Sequence, residues 1–178
     1  MQNRILVRPA IAADIPAITA IYSHHVLHGL ASFEVDPPDT AEMLRRHAAV
    51  LELGLPYLAA ETNGRLAGYA YATVYRARPA YRYTVEDSVY VQDEYAGQGI
   101  GSALMPVLIA GCADAGRRQI VAVIGDSANL ASIRLHEKFG FHRVGLLPAV
   151  GFKFGRWVDS VLMQRDLADG RIALGAGG

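Results

Sequence analysis

Hydrophobic positions along the chain follow two periods, one typical of helices and the other of strands. Apolar residues with helical spacing predict helices over residues 14–27, 41–53, 99–115 and 128–139. Shorter apolar runs, alternating or continuous, predict strands over residues 4–8, 57–62, 65–75, 82–91, 119–124 and 157–166, with another strand starting at 141–144. The predicted order is therefore β-α-α-β-β-β-α-β-α-β-β.

Turn residues between these segments agree with that order. Asn63 and Gly64 separate the second and third strands, and this pair is preferred in type I′ hairpin turns, where both central residues need positive φ. Antiparallel strands come first and a β-α-β-α region follows, which predicts a mixed α/β sheet covered by helices. One domain is expected over residues 1–167, followed by a disordered C-terminal tail, 168–178, rich in Gly and Ala.

Composition narrows the class of partner. The chain has 178 residues, 52% of them hydrophobic, with 17 basic and 17 acidic residues and a formal charge of zero. A nucleic-acid binder would usually show a basic excess, so a small molecule or another protein chain is the expected partner. No apolar run has the length of a membrane span or the context of a signal peptide, so we expect a cytoplasmic protein.

Cysteine and histidine usage indicates no metal or disulfide chemistry. Cys112 is the only cysteine, which excludes a disulfide framework and a multi-cysteine metal site. The four histidines on or next to the first two predicted helices, His24, His25, His28 and His47, lack metal-ligand spacing, so no metal site is predicted.

A glycine-rich turn at residues 90–102 carries the strongest chemical signal. A strand ends there, Gly97, Gly99 and Gly101 alternate, and a helix begins. N–H groups at a helix start lack partners inside the helix and, with the helix dipole, form an anion site suited to a pyrophosphate. The dinucleotide fingerprint fails at its third glycine, which is Ser102 or Leu104 here, and no Gly-Lys-Ser or Gly-Lys-Thr of a P-loop is present. A glycine helix cap without a ligand is the alternative.

Residues 96–101 resemble motif A of the GNAT acetyltransferase superfamily, (Gln or Arg)-x-x-Gly-x-(Gly or Ala), which holds the acetyl-CoA pyrophosphate. Ala96 stands where the family usually has Gln or Arg, so one side-chain contact to phosphate is missing and we expect an effect on affinity rather than on function. The resemblance implies acetyl-CoA as co-substrate. The turn residues expected to hold it are Ala96, Gly97, Gln98, Gly99, Ile100, Gly101 and Ser102.

Longer segments resemble two branches of this superfamily. Residues 81–91 are similar to the Tyr-x-x-Thr-Val-Glu-x-Ser-Val-Tyr segment of phosphinothricin N-acetyltransferases and methionine sulfoximine/sulfone acetyltransferases. Residues 121–125 and 134–137 match the phosphinothricin group, and residues 153–159 with 163–164 are close to both. The resemblance implies a mostly antiparallel sheet with a central splay, flanked by helices. It also implies a homodimer.

Acetyl transfer to an amine requires a base, because an α-amino group is largely protonated at neutral pH. Glu86 is the candidate, as a carboxylate on the strand before the glycine turn, opposite the face of Val85, Val89 and Val91. The resemblance places the family's catalytic Glu here too. A solvated strand carboxylate is the alternative.

The resemblance implies further contacts around the coenzyme. Backbone N–H groups of Val89, Tyr90 and Val91 are expected to hold the oxyanion where the strands part. His136 occupies the position of the Tyr that many members use to protonate the thiolate; it is a candidate acid or substrate positioner, or an ordinary surface histidine. Two further residues, which could also serve as helix caps, are expected to touch the pantetheine arm: Asn129 and Ser132.

A basic and aromatic loop before Glu86 is the candidate substrate site. Arg76 and Arg78 are the first choices to grip a carboxylate or phosphinate, since guanidinium groups bind such anions at two points. Arg82 and Lys153 are further candidates, and Phe33 matches a family segment near the substrate mouth. The predicted reaction is acetylation of the α-amino group of phosphinothricin, methionine sulfoximine or methionine sulfone. A polyamine or protein N-terminus as acceptor, or a non-catalytic acetyl-CoA-binding module, are the alternatives.

Overall fold

The computed structural model describes residues 4–167, so the predicted tail, 168–178, lies outside the described residues. The strands are β1 (Ile5–Pro9), β2 (Tyr57–Thr62), β3 (Arg65–Val74), β4 (Thr84–Val91), β5 (Gln119–Gly125), β6 (His142–Lys153) and β7 (Arg156–Asp166). The α-helices are α1 (Ile15–His28), α2 (Thr40–Glu52), α3 (Ile100–Asp114) and α4 (Leu130–Lys138). This is the predicted order of elements.

The seven strands form one sheet in the order β1-β2-β3-β4-β5-β7-β6. Every neighbouring pair is antiparallel except β4 and β5, which are parallel. Helices cover both faces: Tyr22 of α1 packs on Tyr90 from one side, and Ile100 of α3 meets Gly68 from the other. The predicted mixed, mostly antiparallel sheet flanked by helices is confirmed.

The central strands β4 and β5 part from each other after a short pairing. Their register runs over four pairs, from Thr84 with Gln119 to Asp87 with Ala122. Beyond that point β4 continues beside β3 alone, and β5 continues beside β7 alone. We call the gap between residues 88–91 and 123–125 the splay; it confirms the expected opening at the centre of the sheet.

Local backbone features explain where the predicted bounds hold and where they shift. The hairpin between β2 and β3 has positive φ at both Asn63 (51°) and Gly64 (72°), as a type I′ turn requires. β4 begins at Thr84 rather than at residue 82, because Pro79–Tyr81 forms a turn of 3₁₀ helix just before it.

Strand β6 is much longer than its predicted start at 141–144. Its pairing with β7 is irregular between Arg143 and Gly145 and between Leu147 and Gly151. Ala149 has a φ of 51°, and its N–H donates to Asp159 Oδ1 at 2.8 Å. These bulges break the alternation of side chains, which is why the apolar pattern did not reveal the rest of the strand. No helix within residues 4–167 is long and apolar enough to cross a membrane.

Candidate active site

The splay exposes backbone donors on one edge of β4. Gln92 N donates to Ala67 O on the β3 side at 2.9 Å. Backbone groups point alternately to the two sides of a strand, so the N–H groups of Val89 and Val91 point away from β3 and into the splay. β5 no longer pairs with β4 at that height. Two of the three predicted backbone donors therefore face the opening.

The backbone N–H of Tyr90, the third of those residues, points toward β3 and not into the splay. Tyr90 pairs with Tyr69 of β3, and its ring lies 5.4 Å from the Tyr69 ring and 5.1 Å from that of Tyr22. Burial raises the pKa of the Tyr90 hydroxyl well above its usual value. The Tyr90 ring thus packs against the Tyr22 and Tyr69 rings beside the splay.

The glycine turn ends in a helix start with free N–H groups. Gly97 and Gly99 have φ of 73° and 88°, a region that residues with a side chain rarely adopt. Ala103 N donates to Gly99 O at 2.9 Å, so the N–H groups of Ile100, Gly101 and Ser102 precede that bond. Such groups and the helix dipole together favour an anion.

The start of α3 also contacts the end of α4. A Cβ on Gly101 would lie 2.9 Å from Leu135 Cδ2, so the glycine lets the two helices approach. Lys138 Nζ donates to Ser102 Oγ at 3.1 Å. Lys138, which the sequence analysis did not single out, therefore adds a positive charge to the anion site.

Ala96 and Gln98 shape the turn through local hydrogen bonds. Ala96 N donates to Asp93 O at 3.1 Å, and Gln98 Nε2 donates to Glu94 O at 2.7 Å. The Gln98 side chain is thus engaged within the turn. The positive charge that a family Arg would bring at position 96 is absent, and Lys138 is the cation at this helix start.

A small cavity at the splay is lined by β4, the end of β5 and the first turns of α4, including Val89, Gly125, Asn129, Ser132 and His136. Asn129 is the N-cap of α4, and its Oδ1 accepts from Ser132 N at 3.2 Å. The capping role considered for Asn129 is therefore present, and both side chains also border the cavity.

His136 is buried and paired with a carboxylate. Its Nε2 lies 2.9 Å from Asp87 Oδ2, and its Nδ1 lies 2.7 Å from Ser132 O. The side chains of His136 and Asp87 are 5% and 0% exposed. Burial opposes the charged imidazolium, but the hydrogen bond to Asp87, the charge of that carboxylate and the Ser132 carbonyl together raise the pKa of His136. An ordinary surface histidine is excluded.

Glu86 lies on the opposite face of β4 from Asp87, at the height where the splay begins. Its side chain is half-buried, and burial raises the pKa of the Glu86 carboxyl. The neighbouring charge of Asp87 raises it further, whereas the charge of Arg76 lowers it. A carboxylate with a raised pKa is a stronger base when ionised, as acceptance of a proton at neutral pH requires.

The arginine loop reaches Glu86 through Arg76. The Arg76 guanidinium lies 4.9 Å from the centroid of the Tyr75 ring and within electrostatic range of Glu86. Arg78 is exposed at the start of the 3₁₀ turn. The Arg82 guanidinium lies over the Tyr83 ring, 4.6 Å from its centroid. The structure thus brings Arg76 to the Glu86 face, with Arg78 two residues along the same loop.

Phe33 and Lys153 lie together at the other side of the splay. The Phe33 ring fits between two glycines, since a Cβ on Gly125 or Gly151 would lie 3.1 or 2.5 Å from it. Lys153 Nζ donates to Gly29 O at 2.9 Å and to Ser32 O at 2.7 Å, and the side chain is buried. Its ammonium thus holds the Phe33 loop, residues 29–34, in place.

Sequence reasoning missed two charged residues at this site. Nothing in the sequence pattern singled out Lys138. Asp87 did carry one: it is an acidic residue on the strand face of Val85, Val89 and Val91, which the alternation assigns to the interior. A buried carboxylate requires a partner, and His136 is that partner.

Comparison with known sequences also indicates an acetyltransferase. The model of a family described as the acetyltransferase (GNAT) family matches residues 21–141. A phosphinothricin N-acetyltransferase of Alcaligenes faecalis is 58% identical over 161 residues, which cover 90% of this chain and 82% of the relative. An L-methionine sulfoximine/L-methionine sulfone acetyltransferase of Salmonella typhimurium is 44% identical over 161 residues, covering 90% of this chain and 94% of that protein.

A solved structure extends the similarity to three dimensions. The crystal structure of a GNAT superfamily phosphinothricin acetyltransferase from Sinorhizobium meliloti, in complex with acetyl-CoA, matches with a TM-score of 0.88 at 46% identity. The match covers 93% of this chain and 89% of that one.

Proposed function

The chain belongs to the acetyltransferase (GNAT) family, and from this premise we propose that it acetylates the α-amino group of phosphinothricin, methionine sulfoximine or methionine sulfone. It is an acetyl-CoA-dependent N-acetyltransferase of the phosphinothricin and methionine sulfoximine type. Transfer is direct, with Glu86 as the general base. The observation that carries this proposal is the position of Glu86, half-buried on one face of β4 where the sheet opens.

The residues around the splay fit acetyl-CoA, which supplies an activated acetyl thioester. The helix start at Ile100 to Ser102, with Lys138 beside it, suits the pyrophosphate because both contribute positive charge. Val89 and Val91 direct N–H groups into the splay, where they can bind the pantetheine amides and stabilise the charge that develops on the acetyl oxygen. Such backbone donors are held by the β3 pairing and need no reorganisation.

Glu86 removes the proton of the α-ammonium group, directly or through a water molecule. Its pKa is raised by burial and by Asp87, which brings the carboxylate closer in proton affinity to the amine. Arg76 and Arg78 bind the α-carboxylate or the second polar head of the substrate, since a guanidinium holds such an anion at two points. Phe33 supplies an apolar wall for the methylenes between these groups.

We also propose that the chain forms a homodimer. The β6–β7 hairpin leaves several large apolar side chains exposed, which is more than the scattered apolar residues of an ordinary surface. We call these residues the hairpin surface: Val144, Leu146, Leu147, Val150, Phe152, Phe154 and Trp157. We propose that a second copy of the chain binds this surface.

A cytoplasmic location is also proposed, in keeping with the single, buried, free Cys112.

A thiol-release assay with acetyl-CoA tests the substrate class. Phosphinothricin, methionine sulfoximine and methionine sulfone are compared with spermidine, lysine and a peptide with a free N-terminus. We expect a higher kcat/KM for at least one of the three analogues than for any of the others. A higher kcat/KM for spermidine or the peptide would contradict the proposed substrate class. No turnover with any amine would support a non-catalytic acetyl-CoA-binding module.

Replacing Arg78 by Ala tests the arginine loop. Loss of the guanidinium should raise the KM for the preferred analogue by about tenfold, as expected when about 1.4 kcal/mol of binding is removed. The KM for acetyl-CoA should stay within about twofold, since the loop precedes the coenzyme turn. Arg45→Ala, an exposed arginine paired with Glu42 on α2, is the matched control. A rise in the KM for acetyl-CoA alone would assign the loop to the coenzyme instead.

A further inference from the structure

A histidine of α1 binds the edge of β4 that faces the splay. His25 Nε2 lies 2.8 Å from Val91 O. A carbonyl oxygen only accepts hydrogen bonds, so Nε2 of His25 carries a proton and donates it. The N–H and C=O groups of one strand residue point to the same side, so the Val91 carbonyl faces the splay as its N–H does. His25 therefore bonds to β4 at a place where β5 no longer pairs with it.

This contact lies between two cavities along the same edge. The small cavity at the splay is lined by residues 88–90 of β4. A second, open cavity of about 300 Å³ is lined by residues 92–94 and by His25 itself. Val91 separates these two stretches of chain, and the second stretch leads into the glycine turn. The His25 ring thus lies on the line that joins the glycine turn to the base of the splay.

The Val91 carbonyl is an acceptor that the coenzyme can use. A pantetheine arm carries amide N–H groups as well as carbonyl groups, so it needs acceptors along the splay in addition to the N–H groups of Val89 and Val91. Val91 O faces the splay between the pyrophosphate site and the place of acetyl transfer proposed above. In this structure His25 takes that oxygen.

We propose that His25 competes with acetyl-CoA for Val91 O and has to leave this oxygen before a pantetheine amide binds there. The inference rests on the proposed binding of acetyl-CoA along the splay. The imidazole can turn into the cavity beside residues 92–94, where water or the exposed Glu94 carboxylate accepts its N–H. His25 thereby lowers the affinity for acetyl-CoA, because only the fraction of molecules with the ring displaced is competent to bind.

A purely structural contact would have the opposite effect on affinity. Val91 O and Gln92 N belong to one peptide group, and Gln92 N already donates to Ala67 O at 2.9 Å. That bond holds the peptide group from the β3 side, so β4 keeps its course without His25. If β4 did need His25, loss of the imidazole would weaken coenzyme binding.

His25→Ala tests the inference through binding alone. Calorimetric titration with acetyl-CoA, in the absence of any amine, should give a Kd lowered by about three- to tenfold, as expected when one competing hydrogen bond is removed. In stopped-flow measurements the association rate constant should rise by the same factor, because the variant has no closed fraction. The dissociation rate constant should stay within about twofold, since His25 no longer contacts Val91 O once acetyl-CoA is bound.

Two variants and one ligand serve as controls. His25→Gln keeps a side-chain N–H donor and should retain the wild-type Kd. His28→Ala removes an exposed histidine from the end of the same helix and should leave the Kd unchanged. The third control is 3′-phospho-ADP, which carries the pyrophosphate but no pantetheine arm. Its Kd should be the same for the wild type and His25→Ala.

Three results would overturn the inference: a Kd for acetyl-CoA that is unchanged or higher in His25→Ala, equal tightening in His25→Gln, or equal tightening toward 3′-phospho-ADP. His25→Leu, which keeps an apolar side chain beside the Tyr90 ring, is the second variant should His25→Ala fail to fold, and the same result is expected of it. These measurements need no turnover. A wild type that binds acetyl-CoA but acetylates no amine would therefore count against the proposed function and not against the role of His25.

Discussion

Two adjacent carboxylates on β4 occupy different environments. Glu86 is half-buried near Arg76, whereas Asp87 is fully buried against His136. The alternation of a strand turns them to opposite faces of the sheet, so the two neighbours have separate surroundings. Glu86 is the proposed base, whereas Asp87 is the buried partner of His136.

Glu86→Gln should lower kcat/KM by about 10²-fold at pH 7, because the amide keeps the shape but cannot accept a proton. Glu86 acts when ionised, and its raised pKa places the rise of wild-type activity at higher pH than an ordinary Glu would. The deficit should shrink in alkali, where more of the amine is already neutral. Initial rates from pH 6 to pH 9 measure this. Glu52→Gln, an exposed carboxylate on α2, serves as the control; equal rates for Glu86→Gln and wild type at pH 7 would contradict the role of Glu86.

Sequence reasoning proposed Glu86 because a carboxylate opposite an apolar strand face is visible in the alternation. The partner of Asp87 was not visible, since His136 is 49 positions away and only the fold brings them together. Gly101 shows a different limit. Its role in the glycine turn was predicted, but its contact with Leu135 depends on how α3 packs on α4.

At the scale of elements, all four α-helices and the strands appear in the predicted order. The prediction fell short at β6, where Gly145, Pro148 and Gly151 interrupt the apolar pattern and bulges reset the register. Asp159 stabilises this irregular stretch through Ala149 N–H and Ser127 Oγ–H, which also lower the pKa of its carboxyl. A long-range contact therefore holds a strand that local pattern cannot predict.

Lys153→Met should loosen the Phe33 loop, because the buried Gly29 and Ser32 carbonyls lose their ammonium donor. Charged hydrogen bonds of this kind are each worth about 1.5–3 kcal/mol. We expect lower thermal stability and a KM for the amino-acid analogue raised several-fold, with little change for acetyl-CoA. Arg156→Met is the control. Arg156 lies on the same hairpin as Lys153, and its replacement removes an exposed ion pair with Asp126. If Lys153 bound the substrate directly, Lys153→Met would instead raise the KM for the analogue without lowering the thermal stability, which calorimetry measures.

At the scale of the whole molecule, the splay divides the sheet into β1–β4 and β5–β7–β6, joined by four parallel pairs. Helices α1 and α2 lie on the Glu86 face, whereas α3 and α4 lie on the Asp87 face. The hairpin surface lies at the edge formed by β6 and β7.

Trp157→Glu tests the homodimer. Trp157 is 67% exposed, and a charge there should disrupt an apolar contact between two copies. Light scattering after size exclusion should give a dimer for the wild type and a monomer for the variant. Leu6→Glu is the control, because Leu6 is 49% exposed on β1 at the opposite edge of the sheet. A monomeric wild type at micromolar concentration would contradict the proposal.

The splay also determines how fast single backbone amides exchange with deuterium. Ser88 and Tyr90 direct their N–H groups to β3 and should exchange slowly, whereas Val89 and Val91 lack a strand partner on the β5 side and should exchange quickly. Strand β4 should therefore show fast and slow amides in alternation along its last four residues. A ligand that fills the gap acts as the missing neighbour strand, so the fast amides should become protected and the alternation should disappear.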